Sequence, residues 1–212
     1  MLINVLGIIS ALIFLNGCTQ KEVVRSGERV WHISSKAQIN DKTKDSSNNV
    51  TIDIFLKEQQ AFRLEVTATL GYQVGSLLMT KNYIKYAIHP NKYFIQGPAE
   101  ARTIKPLFKQ EIDPRILWSV IHDQDLSMHG FKCSRKEASV QVCKNNLGLV
   151  EVEQRGDLDE QGQSKDHQKK VTIENNNIKM IWIFKSQEIL QEYQNETFVL
   201  NSPKEYKLIT IK

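Results

Sequence analysis

The sequence predicts a mainly β (α+β) domain in which one long, curved antiparallel sheet is covered on its apolar face by one or two short helices. Most of the chain alternates apolar and polar residues with a period of two, which is typical of strands with one buried and one solvated face. Polar turns separate these strands and no internal repeat is visible, so a meander of hairpins is expected. A single stretch near the middle of the chain has helical spacing instead.

The alternation begins at residues 30–39, where Trp31, Ile33, Ala37 and Ile39 share one face. Further strands are expected at 50–56, 62–69, 74–80, 83–89, 92–96, 131–135, 140–144, 149–155, 169–173, 179–185 and 206–212. The stretches between them carry turn chemistry, and the main polar connections are 42–49, 57–60, 89–92 and 156–166.

The helical stretch starts with Asp113 as N-cap and Pro114 at the first helical position. Leu117, Val120 and Ile121 then recur at helical spacing. A second short helical turn is expected at 107–108. Alternation alone leaves open whether the space between sheet and helices is a solid core or a cavity.

Residues 1–17 form an apolar block without a charged side chain, followed by Cys18. The block is short for a spanning helix and has the length of the hydrophobic region of an export signal. Its end resembles the bacterial lipobox, in which the cysteine thiol receives a lipid before cleavage. The absence of a basic residue departs from that pattern, and an uncleaved membrane anchor is the alternative. The expected organisation is a signal peptide at 1–17, a lipidated N-terminus and tether at 18–29, and a single domain at 30–212.

The resemblance to the lipobox implies attachment to a membrane through Cys18 by two or three acyl chains such as palmitate, because one chain alone holds only marginally. In the sorting rule of Gram-negative lipoproteins, an Asp directly after the cysteine favours retention in the inner membrane. In this sequence the residue directly after Cys18 is Thr19. This implies an outer-membrane lipoprotein in the cell envelope that faces the periplasm, with exposure at the cell surface as the alternative.

Cys133 and Cys143 remain as an even pair in a compartment that permits disulfides. Two strands meeting around the polar turn between them would place the thiols opposite each other. A hairpin disulfide is therefore expected, with a stabilisation of roughly 3 kcal/mol for so short a loop. A metal or redox site would require closer spacing or more ligands.

The formal net charge of +4 comes from interspersed acidic and basic residues, which argues against a nucleic-acid interface. His122, Asp123, Asp125 and His129 form the densest group of titratable residues, but a loop with this spacing is weak evidence for a metal. The sequence contains no G-x-S-x-G nucleophile motif, no H-E-x-x-H zinc-protease motif and no phosphate-binding P-loop. The sequence therefore predicts a non-enzymatic protein with no catalytic residues, cofactor or metal.

The segment 62–77, FRLEVTATLGYQVGSL, resembles the LolA/LolB-like family of outer-membrane lipoproteins, which carries a strand, a Leu-Gly turn and a further strand at this point. Residues 83–88 and 93–99 continue the family's meander, and the Leu-Trp helix has its counterpart. The resemblance implies an unclosed half-barrel with a helical lid over an apolar cavity that handles acylated proteins or lipids. It also implies that Leu70, with Gly71 and the added aromatic Tyr72, forms a turn that enters a membrane; the alternative is that Leu70 packs on the sheet edge.

Two functions remain open. One is an outer-membrane factor that binds or hands over an acyl chain, a phospholipid or lipoprotein cargo, and it predicts a preformed cavity and an exposed Leu70. The other is a membrane-tethered interaction lipoprotein that docks an envelope protein, and it predicts a filled core. The apolar positions that would line the cavity, or pack as core, are Trp31, Ile33, Ile52, Ile54, Phe62, Leu64, Leu78, Ile84, Tyr86, Trp118, Ile121, Trp182 and Phe184.

Overall fold

The structure is a computed structural model that describes residues 23–24, 29–108, 112–146, 148–157 and 168–212. The predicted signal peptide, Cys18 and most of the polar connection 156–166 lie outside these residues. The described strands are β1 Val23–Val24, β2 Val30–Asp41, β3 Ser46–Lys57, β4 Ala61–Ala68, β5 Gln73–Thr80, β6 Tyr83–Ile88, β7 Tyr93–Pro98, β8 Lys132–Glu137, β9 Val140–Asn145, β10 Gly148–Gln154, β11 Lys169–Glu174, β12 Ile178–Ile189, β13 Tyr193–Gln194 and β14 Lys207–Thr210. The α-helices are α1 Ala101–Phe108 and α2 Pro114–Ile121, and short 3-10 helices occupy Leu126–His129 and Asn195–Phe198.

Twelve of the described strands form one open sheet in the order β14-β7-β6-β5-β4-β3-β2-β12-β11-β10-β9-β8. Two hairpin meanders, β2 to β7 and β8 to β12, are joined by the antiparallel pairing of β2 with β12. The last strand, β14, runs parallel to its neighbour β7. The sheet does not close on itself, and two helices cover its concave face. The predicted fold class is therefore confirmed.

The two-residue period sorts side chains between a concave face under the helices and a convex face turned away from them. Along β2, Ile33 and Ala37 are buried, and Lys36 between them is exposed. Cross-strand register then aligns residues of the same face into rungs, such as Ile33, Ile54, Leu64 and Leu77. The rungs nearest the start of β2 are filled by packed side chains and form the closed end of the half-barrel. The β2–β3, β4–β5, β6–β7 and β11–β12 turns gather at the opposite end, called here the mouth end.

The C-terminal segment crosses the convex face before it joins the sheet edge as β14. Arg63 holds it by donating from Nη1 to the carbonyl oxygens of residues 196, 197 and 199, at 3.2, 3.2 and 3.1 Å. Leu200 packs in a small convex cluster with Ala87 and Phe94. The Tyr206 hydroxyl lies 2.8 Å from Nδ1 of His89. These contacts explain how a short strand far along the chain reaches β7.

A disulfide joins Cys133 and Cys143, which face each other across the β8–β9 hairpin with Cα atoms 4.0 Å apart. Cys143 is fully buried and Cys133 is half-buried. The disulfide fastens β8, the outermost strand on this side of the sheet, to its only described neighbour. The expected pairing is therefore present in the structure.

An apolar cavity beneath the helices

A cavity of about 440 Å³ lies between the concave face and the helices, at the mouth end of the sheet. Its walls come from the outer halves of β2 to β6 and β12, from the end of α1 and from Leu117 of α2. The lining side chains are mostly aliphatic: Ile39, Val50, Ile52, Leu64, Val66, Val74, Leu77, Ile88, Pro106, Leu107, Leu117, Ile178, Met180 and Trp182. Such a concave, largely apolar space suits a hydrophobic ligand.

The least exposed of the lining side chains are those of Trp182 from β12 and Leu117 from α2, at 1% and 2%, and these two are called here the floor of the cavity. Trp182 is held in place because its indole Nε1 donates to Oγ of Ser35 at 2.9 Å. That hydroxyl in turn donates to the carbonyl oxygen of Ile52 at 2.7 Å. A buried indole N–H needs such a partner, so this chain of hydrogen bonds fixes the indole plane.

The rim of the cavity is polar and lies at the turns of the mouth end. It includes Asp41, Lys44, Ser46, Asn48 and Asn91. The Thr43 hydroxyl donates to Asp41 at 2.6 Å, and this hydrogen bond lowers the pKa of the Asp41 carboxyl from its ordinary value. The entrance therefore carries charge and hydrogen-bonding groups, whereas the interior does not.

The residues expected to line a cavity divide between the two ends of the half-barrel. Ile52, Leu64 and Trp182 line the cavity. The other expected residues on the concave face belong to the packed core. Trp31 lies half-buried at the edge of this core, and its indole Nε1 donates to the Glu58 carboxylate at 3.0 Å. The packed residues are Ile33, Ile54, Phe62, Ile84, Tyr86, Trp118, Ile121 and Phe184.

The assignment of Leu78 to the cavity is corrected by the structure. Leu78 faces the convex side and packs against the cluster of Ala87, Phe94 and Leu200. Adjacent Leu77 faces the cavity instead. Two consecutive leucines make the phase of β5 ambiguous in the sequence, and only pairing with β4 decides which one points inward.

Several cavity residues were not expected from the sequence, including Val66, Leu77, Leu117 and Met180. Val66 could have been found from the alternation, because it shares a face of β4 with Phe62 and Leu64. Leu77 could not, because only the pairing of β5 with β4 shows that it faces inward. Leu117 was recognised as part of a helix but not as a cavity residue, since the position of the helix over the sheet is not encoded in a local pattern.

The β4–β5 turn projects from the mouth end beside the cavity. Leu70 at its tip is 88% exposed and Tyr72 is 56% exposed. Gly71 has a φ of 85°, a left-handed conformation that favours glycine, and its N–H donates to the carbonyl oxygen of Ala68 at 2.8 Å. Val74, two residues after Tyr72, already lines the cavity. The turn thus presents two large apolar side chains to solvent next to the entrance.

Charged residues cap helix α2 at its N-terminus and tie its C-terminus to β11. Asp113 caps the N-terminus by accepting from the Arg115 N–H at 3.0 Å, and the Arg115 guanidinium Nε lies 2.9 Å from both carboxylate oxygens of Asp113. At the other end, Lys169 is only 3% exposed and donates from Nζ to the carbonyl oxygen of Val120 at 2.6 Å and to the Asp123 carboxylate. The helix that supplies Leu117 is therefore held against the sheet.

His122 directly follows α2 and is half-buried at the closed end of the half-barrel. Its ring stacks on Trp118 with centroids 3.9 Å apart, and its Nδ1 donates to the Trp118 carbonyl oxygen at 3.0 Å. Nε2 is buried and has no hydrogen-bond partner among the described residues. Burial lowers the pKa of His122 because the cation is poorly solvated there.

A pH dependence of stability follows from this lowered pKa. As pH falls below the ordinary histidine pKa near 6.5, His122 becomes protonated in the unfolded chain but stays neutral in the folded chain. The free energy of unfolding therefore decreases with falling pH until the lower pKa of the folded state is passed. Urea unfolding of the full chain between pH 7.5 and 5 measures this slope. We expect His122→Gln to reduce it, whereas an unchanged slope would contradict the assignment to His122.

Within the described ranges, no group of three or more His, Cys, Asp or Glu side chains is arranged to hold a metal ion. Asp123 is paired with Lys169, and Asp125 caps the following 3-10 helix by accepting from Ser127 N at 2.9 Å. A search of the described residues for helices long and apolar enough to cross a bilayer finds none.

The open sheet, the two covering helices and the apolar cavity define the class of this protein: a half-barrel with a helical lid. No protein-family model and no curated protein matches the chain. Solved structures with a similar chain path include a LolA superfamily protein from Nitrosomonas europaea, with 5% identity, coverage of 84% of this chain and 93% of the other, and a TM-score of 0.45.

A domain from Vibrio parahaemolyticus described as an outer membrane lipoprotein-sorting protein aligns with 6% identity over 80% of this chain and 89% of its own, with a TM-score of 0.45. An uncharacterised conserved protein from Thermus thermophilus aligns with 6% identity over 84% and 90%, with a TM-score of 0.43.

Proposed function

We propose that this protein is a lipid-anchored envelope protein that binds an acyl chain, of a lipid or of an acylated protein, in the cavity and exchanges it with a membrane. The observation that carries the proposal is that an apolar cavity opens at the same end of the sheet as an exposed Leu70 and Tyr72. The competing function, docking of an envelope protein partner, predicted a filled core. The cavity favours the carrier.

The energetics fit an acyl ligand. Each methylene that leaves water contributes about 0.8 kcal/mol, so a chain of ordinary length gains several kcal/mol in an apolar cavity. The polar rim lets a headgroup or a polypeptide remain outside in water. Leu70 and Tyr72 have the size and amphipathic character that suit the interface of a bilayer, and their insertion would bring the cavity entrance to the acyl chains.

The anchor at Cys18 and the outer-membrane location are part of the same proposal. They are supported by the apolar block, the lipobox resemblance and the absence of Asp after the cysteine. Intact mass spectrometry of the protein extracted from envelope membranes tests the anchor. The expected mass lacks residues 1–17 and carries diacylglycerol plus an acyl group, and Cys18→Ser is expected to retain the unprocessed mass. An unmodified wild-type chain would contradict it.

Binding is tested with a diazirine-bearing palmitic acid added to envelope membranes that contain the full chain. Irradiation followed by peptide mass spectrometry locates the adducts. We expect adducts on cavity residues, above all Val66, Leu117 and Trp182. Adducts confined to residues 70–72, or no adducts at all, would contradict the carrier function and leave the interaction lipoprotein.

Leu70→Glu is expected to slow loading of the cavity roughly tenfold or more, because a charged tip is strongly disfavoured where leucine is favoured in a membrane. The measurement is the initial rate of cavity labelling by the same probe. Met128→Glu is the matched control, since Met128 is also an exposed apolar side chain, at 75%, but lies in the 3-10 helix after α2. Equal rates for both variants would show that the turn has no part in exchange.

A further inference from the structure

Resting on the proposed function, we infer that the cavity takes one acyl chain at a time and that the floor formed by Leu117 and Trp182 sets the length it accepts. The cavity volume of about 440 Å³ is comparable to that of a single chain of about fifteen methylenes, each of which occupies, like a water molecule in the liquid, about 30 Å³. A second chain needs twice that volume. One chain of a diacyl lipid or of a multiply acylated protein therefore enters while the others remain outside.

The floor is rigid, which is why it limits length. Trp182 is tied to β2 and β3 through the Ser35 hydroxyl, and Leu117 belongs to a helix whose C-terminal end is tied to β11 by Lys169, which contacts the Val120 carbonyl oxygen and Asp123. Packed interiors yield little to a longer ligand, because inserting atoms into them forces side chains out of their rotamers.

Beneath the floor the concave face is closed by aromatic packing. The Phe62 and Trp118 rings lie 6.0 Å apart, and Trp118 stacks on His122. A chain end that reaches the floor therefore meets a filled core rather than a continuation of the cavity. The polar rim at Asp41 and Asn91 fixes the opposite end, because a carboxyl, ester or headgroup remains there in contact with water.

The test uses a series of fatty acids with 10 to 20 carbons and a diazirine at the terminal carbon, added to envelope membranes that contain the full chain. Wild type is expected to be labelled best near 14 to 16 carbons, with adducts on Leu117 and Trp182 and one adduct per chain at saturation. A diacyl phospholipid with the same terminal diazirine on one chain distinguishes phospholipid from free acyl sources and is expected to give the same single adduct.

Two cavity variants shift the optimum in opposite directions. Leu117→Ala removes three carbons from the floor and is expected to move the optimum to longer chains by about three carbons. Val66→Trp fills the half-buried wall of the cavity and is expected to move it to shorter chains. Leu78→Ala, on the convex side of β5, is the control and keeps the wild-type optimum. Comparison between variants cancels the different partitioning of the fatty acids into the membrane.

The outcomes separate this inference from the proposed function. Cavity labelling with the same length profile in all variants, or two adducts per chain, would overturn the floor as the length limit while the carrier function stands. Absence of cavity labelling at every length would overturn the carrier function itself. Thermal unfolding of each variant checks that it is folded. Leu117→Ala removes atoms from the cavity wall and Val66→Trp adds them, so if one of the two fails to fold, the other still tests the length limit.

Discussion

Val66→Glu is expected to reduce labelling of the cavity by the palmitic acid probe roughly thirtyfold or more. Val66 lines the middle of the cavity, and a carboxyl group there either stays hydrated, which fills the space with water, or loses its hydrogen bonds when a chain enters, which costs about 2 kcal/mol or more. The measurement is the yield of adducts at saturating probe. Because Val66 is only half-buried next to open space, the fold is expected to survive.

Thr67→Glu is the matched control for this change. Thr67 is the next residue of β4, is also half-buried, and points to the convex face, so the same carboxyl group is introduced on the other side of the sheet. We expect wild-type labelling from it. Equal loss in both variants would indicate damage to the sheet, and retention of labelling in Val66→Glu would mean that the chain does not bind in this cavity.

Asp123→Asn is expected to lower the free energy of unfolding by about 3 kcal/mol, because it leaves the buried ammonium of Lys169 without a counter-charge. Lys169→Met is expected to cost less, about 1 to 2 kcal/mol, since the methionine fills similar space and the Asp123 carboxylate that remains is 42% exposed to water. Asn tolerates the left-handed backbone of residue 123, whose φ is 52°, so the comparison concerns charge. Urea unfolding of the full chain measures both values.

The control for this pair is Glu100→Gln, which removes one partner of the exposed Glu100–Arg102 ion pair. Such surface pairs contribute little, and a change below about 0.5 kcal/mol is expected. If Lys169→Met proves as costly as Asp123→Asn, the asymmetry argument is wrong and the hydrogen bond to the Val120 carbonyl dominates.

The strands and the main helix were predictable because their signals are local. Alternation located the strands of both meanders, and Asp113 with Pro114 marked the start of α2, where the structure shows the cap. The polar connection 42–49 was predicted too long, since β2 extends to Asp41 and β3 begins at Ser46. Polar residues at the tip of a hairpin lack an apolar face, and their pairing is decided by register rather than by pattern.

The two shortest strands and the pairing of the last strand had no local signal. In the part of the chain that the structure describes, β1 and β13 are two-residue strands that pair only with each other, and β14 is held parallel to β7 by contacts of the preceding segment with the convex face. A parallel pairing across a hundred residues cannot be deduced from the alternation in 206–212, which is the same for either direction of the neighbour.

By itself, the sequence determined which residues alternate, where the chain turns, which two cysteines can meet, and that one or two short helices cover a curved sheet. The tertiary structure alone decided that Leu78 faces outward, that the concave face is packed at one end and open at the other, and that Leu117 and Trp182 line the cavity between them. The physical reason is that alternation specifies the face of a residue but not its partners. Whether apolar side chains meet one another or leave a cavity depends on the register of distant strands and on where charged contacts hold the helices.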